Sequence, residues 1–185
     1  MRGPSFLLLI GLLLAPVSVP AAELTGAATP IGSAFCRAGE AGKPARCPGP
    51  SGVDAYLAEG EGGPLVSLGS PEAGFVGIGR GAVLGSTMEW RLADGMPFAG
   101  IVRYRLPADS DGSVRDVLAV LKVSEASRPG CLVALVDLTV NPDGRAMARQ
   151  LADDRAPGFS CGADVARFNG IRSDWAQGLE ILQAP

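Results

Sequence analysis

There is no histidine anywhere in the 185 residues, and lysine occurs only at Lys43 and Lys122. The missing imidazole removes the usual general base of Ser and Cys nucleophiles and the commonest metal ligand. It also closes off the ordinary zinc sets, because the four cysteines contain no C-x-x-C spacing. Aromatics are scarce at 5% of the chain, and the balance of 16 basic against 19 acidic residues leaves a net charge of −3. Nucleic-acid binding needs a clustered basic face, which no run of this sequence supplies, so nucleic acid is excluded as a partner. Neither a metal nor a cofactor is expected.

What the chain does have is concentrated at its start and in its cysteines. "MRGPSFLLLIGLLLAPVSVPAAEL" carries Arg2, an apolar run from Phe6 to Leu14, and small residues around Val19-Pro20-Ala21. That order is the tripartite pattern of a signal peptide, and Pro16 and Pro20 break the run short of a membrane span. The expectation is export to the periplasm or the medium, removal of residues 1–21, and no membrane anchor afterwards. An even number of cysteines in an exported chain reads as two disulfides. Of the three possible pairings, Cys36–Cys47 and Cys131–Cys161 close the shortest loops.

Residues 22–74 hold 11 Gly and 6 Pro with few aromatics. Such a stretch buries little and resists regular structure, so it is expected to be irregular, with a small disulfide loop at "CRAGEAGKPARC". Beyond it the pattern tightens into a single α+β domain over 75–170, followed by a tail over 171–185. "TMEWRL" puts Met88, Trp90 and Leu92 on one face and Glu89 and Arg91 on the other. Asp94-Gly95 signals a hairpin, and "FAGIVRYRL" sets Phe98, Val102, Tyr104 and Leu106 against Arg103 and Arg105. "VRDVLAVLKV" and "CLVALVDLTV" are apolar on both faces, as central strands covered on each side should be. The expected core is an antiparallel meander of about four strands. One C-terminal helix packs on it, opened by Asn141-Pro142-Asp143, with Arg149 and Asp153 as an exposed i,i+4 pair.

The succession "WRLADGMPFAGIVRYR", "CLVALVDLTVNPDGRAMARQLAD" and "FSCG", over Met88 to Gly162, resembles a group of exported, uncharacterised alphaproteobacterial proteins. Its most specific part is the Asn-Pro-Asp helix start with its flanking cysteines. The resemblance implies these domain boundaries and carries no catalytic residue with it.

Four stretches invite chemistry. Gly158-Phe159-Ser160-Cys161-Gly162 matches G-x-S-x-G, but a nucleophile elbow needs a strand before the serine and a helix after it, and here a helix precedes. Gly77-x-Gly79-x-x-Ala82 imitates a dinucleotide fingerprint without the following helix. Asp109 to Gly112, "DSDG", lacks the further ligands of a calcium loop and reads as a turn. Asp137, with Asp143 and Arg103, is the candidate ligand-binding group, against the alternative that Asp137 bonds backbone amides at the helix start. No residue is assigned a catalytic role. The expected function is a non-enzymatic binding or structural module with a protein or small-molecule partner. The alternatives are a small-ligand carrier with a pocket between sheet and helix, or a small hydrolase using Ser160, or Asp137 with Asp94.

Overall fold

The computed structural model describes residues 21–79, 81–107, 112–113 and 115–184. Asp109 and Asp111 of the "DSDG" stretch lie outside them, as does the apolar N-terminal run. The fold is a β-sandwich with a helix on one outer face, and this overturns the α+β expectation. Among the described residues there are eleven strands in two sheets, and α1 (Gly144–Arg155) is the one helix longer than a single turn.

The meander forms the middle of the first sheet: β6 (Val83–Ala93), β7 (Met96–Leu106), β8 (Arg115–Lys122) and β9 (Cys131–Asp137). The Asp94-Gly95 turn joins β6 to β7 with φ of 49° and 79°, the paired left-handed conformation a two-residue hairpin requires. β1 (Leu24–Pro30) pairs antiparallel with β6, and β10 (Arg167–Asn169) adds parallel to β9, making six strands. The second sheet consists of β2 (Ala45–Cys47), β3 (Ala55–Gly60), β4 (Gly63–Leu68), β5 (Phe75–Ile78) and β11 (Ile181–Ala184), in the order β11-β5-β4-β3-β2. The Gly/Pro-rich stretch is therefore not irregular, since β1 to β4 lie within it. Nor is 171–185 a tail: α2 (Asp174–Gln177) and β11 belong to it, and β11 closes the second sheet against β5.

The packing explains why a four-strand sheet with one helix was too little. Met88, Trp90, Tyr104, Val117 and Leu135 are buried on one face of the first sheet, where they meet Val66, Leu68, Val76 and Ile78 of the second. Tyr104 crosses that interface to donate its hydroxyl to the Val76 carbonyl at 3.1 Å, and burial raises its pKa. At Gly100 a Cβ would stand 2.6 Å from the Leu68 side chain, so the sheets approach there only because the side chain is missing. The opposite face carries Ala99, Ile101, Leu118, Val120 and Val136, and α1 covers it with Ala148, Ala152 and Ala156. Three alanines in the contact stripe let the helix lie close on the sheet.

Cys36 is bonded to Cys47 and Cys131 to Cys161, with sequence separations of 11 and 30. The first ties the loop after β1 to β2 and so joins the two sheets. The second fastens the start of β9 to the turn following α1. No helix among the described residues is long and apolar enough to cross a membrane.

Candidate anion-binding cleft

Strand alternation fixes the first wall of the site. With Val102, Tyr104 and Leu106 turned into the sandwich, Arg103 and Arg105 of β7 must project from the outer face. The same parity on β6 sends Glu89 and Arg91 to that side. The helix supplies the second wall, since Arg145 and Arg149 stand one turn apart on the flank of α1 beside these strands. Between the walls lies a cleft of about 780 Å³. Among the described residues its lining includes five guanidiniums, Arg91, Arg103, Arg105, Arg145 and Arg149, against one carboxylate, Glu89. A register irregularity in β6 between Leu84 and Met88 takes Ser86 and Thr87, both in the lining, out of the ladder with β7 while they stay bonded to the β1 side.

The arginines are held by acids, each in its own way. Arg91 makes a bidentate pair with Asp153, at 2.7 and 2.8 Å, and both side chains are largely buried. Arg149 reaches across from the helix to Glu89, and that hydrogen bond raises the guanidinium pKa further. The pairs thus cross from helix to sheet, in place of the Arg149–Asp153 pair along the helix that spacing implied. Asp116 on β8 bridges two strand arginines, taking Arg103 on Oδ2 and Arg105 on Oδ1 at 3.2 Å. Burial pushes the Asp116 carboxyl up, but the Arg103 and Arg105 guanidiniums outweigh it and hold the pKa below its ordinary value. Arg103 Nε is buried with no hydrogen-bond partner. Arg145 makes no ion pair among the described residues.

Counting charge on each wall gives a consistent result. The strand pair carries two guanidiniums and one carboxylate, and the helix pair carries two guanidiniums against Glu89. Arg91 and Asp153 cancel. Among the described residues the cleft is left with an excess of two positive charges, in a chain whose net charge is −3. Arg145 sits at the positive end of the α1 dipole, in a first turn that holds no acid, with the Asp143 carboxylate at the N-cap partly offsetting that field.

The structure does not gather Asp137, Asp143 and Arg103 into one place. Arg103 is in the cleft, whereas Asp143 is exposed at the start of α1, outside the lining. Asp137 is fully buried at the end of β9, where it accepts hydrogen bonds from the Thr139 and Ser173 backbone N–H groups and from the Ser173 hydroxyl. Asn141 joins the same staple, donating to the carbonyls of Asp137 and Ile171 and accepting from the Ile171 N–H. α1 accordingly begins at Gly144, after a turn, and not directly behind Asn141.

Ser160 is exposed in the turn beyond α1, where its N–H donates to Asp164 and its neighbour Cys161 is disulfide-bonded. Lys122, the one lysine close by, is turned inward: its ammonium donates to the carbonyls of Pro157 and Phe159 and pairs with Glu125. That arrangement ties the turn beyond α1 to the end of β8. Gly77 lies inside β5, where a Cβ would meet Leu65 at 2.6 Å, and β6 follows with no helix between, so the glycines there serve close packing. Asp94 shapes the β6–β7 turn and accepts from the Glu23 N–H at 2.9 Å.

Sequence reasoning singled out one cleft residue of five. The remaining signal was present in the strand alternation of Arg91 and Arg105 and the i,i+4 spacing of Arg145 and Arg149. Uniting them required knowing that α1 lands on the arginine-bearing face of the sheet. The chain matches no protein-family model, no curated protein and no solved structure.

Proposed function

We propose that this chain is a non-enzymatic binding module of an exported, oxidising compartment that holds an anionic small molecule in the cleft between α1 and the first sheet. The observation that carries the reading is the convergence of five guanidiniums on one cleft of an otherwise acidic protein. Guanidinium forks suit carboxylates and phosphates because they offer paired N–H donors in a plane. Placing Arg145 at the positive end of a helix, one turn before Arg149, costs stability, and local rules are broken in this way at functional sites. Export fits the two disulfides, the N-terminal pattern of residues 1–21 and the resemblance to exported alphaproteobacterial proteins.

Thermal unfolding at low ionic strength, with citrate or inorganic phosphate added, tests the reading. A ligand bound only by the folded state raises Tm with its concentration, by RT ln(1 + [L]/Kd) in stability. The rise should be suppressed by sodium chloride and weakened in Arg149→Gln. A Tm indifferent to every anion at low salt would refute it.

A further inference from the structure

The charge count on the two walls points beyond a generic anion. Resting on the anion-binding reading above, we propose that the cleft takes a ligand with two separate oxyanionic groups on a non-aromatic linker. One group sits on the strand arginines Arg103 and Arg105, the other on the helix arginines Arg145 and Arg149.

The strand arginines are two residues apart, which on one face of a strand means roughly 7 Å. The helix pair, one turn apart, is separated by roughly 6 Å. Asp116 already bridges the strand pair and Glu89 already holds Arg149, so among the described residues each wall keeps a net charge of one. One singly charged group therefore neutralises one wall and leaves the other unmatched. A dianion matches both.

Among the described residues the lining between the walls includes Ala28, Ile101 and Leu118 and holds no aromatic ring. Nothing there stacks a nucleobase or the flat face of a sugar, so the linker recognised is aliphatic. The volume, about 780 Å³, far exceeds what a single carboxylate or phosphate fills.

Calorimetric titration of the full exported chain with acetate, and with linear dicarboxylates from succinate through sebacate, tests the proposal. When one end is bound, the second binding is intramolecular, and affinity peaks where linker length matches the span. The expected result is a length optimum at least tenfold tighter than acetate, which Arg145→Gln abolishes. Since Arg145 is exposed, that variant should fold, and circular dichroism checks that it has. The matching bisphosphonates tell whether phosphorus oxyanions are preferred to carboxylates. If acetate binds as tightly as every dicarboxylate and bisphosphonate, the two-group proposal is overturned and the anion reading stands. If none of them binds, both fall.

Discussion

Replacing Arg145 by Gln should make the ligand-free protein more stable. Arg145 is the second residue of α1, it is exposed, and it has no ion-pair partner among the described residues. A cation in the first turn opposes the helix dipole by about 0.3–1 kcal/mol at low ionic strength. Its like-charge neighbour one turn on, Arg149, adds about 0.2–0.5 kcal/mol, discounted because Glu89 already engages that guanidinium. Solvent screening at an exposed site trims both, so the gain should be about 0.3–1 kcal/mol. For a domain of this size that corresponds to a Tm rise of about 1–4 °C. Scanning calorimetry of wild type and Arg145→Gln in low-salt buffer reads it directly, and the gap should narrow in high salt as the charges are screened. The same substitution should weaken anion binding, so stability and affinity move in opposite directions. A variant less stable than wild type at low salt, or equal to it, would refute the claim that Arg145 is held against the local electrostatics.

Three further outcomes follow from the geometry. Replacing both Cys131 and Cys161 by Ser opens a 30-residue covalent loop, and chain entropy puts the loss at about 3–4 kcal/mol in urea unfolding. Asp116→Asn should destabilise at neutral pH: the folded-state pKa is lowered, so the carboxylate stabilises above the unfolded value near ~3.9. That contribution fades as pH falls through the folded pKa, and the two stability curves should converge in acid. Asp137→Ala leaves the Thr139 and Ser173 N–H groups without their acceptor, at a cost of about 3 kcal/mol, while citrate binding stays as in wild type; a selective loss of binding would restore Asp137 as a ligand group.

The meander was legible because its signals are local. Asp94-Gly95 names its own turn, and alternation in "TMEWRL" and "FAGIVRYRL" sets faces without reference to the rest of the chain. The second sheet was not legible, because its strands are short, rich in small residues, and defined by partners far away. β11 pairs with β5 about a hundred residues earlier, and no window of sequence contains both. One clue did demand that sheet. "VRDVLAVLKV" and "CLVALVDLTV" are apolar on both faces, and a single helix covers only one. The missing layer had to come from the residues read as irregular, where glycine content hid the strand pattern of "AYLAEG" and "GPLVSL". The site suffered in the same way: Arg91, Arg103, Arg105 and Arg149 were each read on their own elements, Arg145 was not singled out, and the meeting of β7 with α1 is a tertiary fact.

The pairing of β11 with β5 also sets the order in which the chain can fold. Sheets dominated by distant partners form slowly, because loop closure must precede the contacts that reward it. Until residues 181–184 arrive, β5 keeps an unpaired edge able to recruit a neighbouring chain. Oxidation runs on a different clock. Cys36 and Cys47 are eleven residues apart and Cys131 and Cys161 thirty, so closing the first loop costs less chain entropy, by about 1 kcal/mol. Once formed, the Cys36–Cys47 bridge tethers the loop after the first sheet's edge strand to the second sheet and so shortens the search between the two layers.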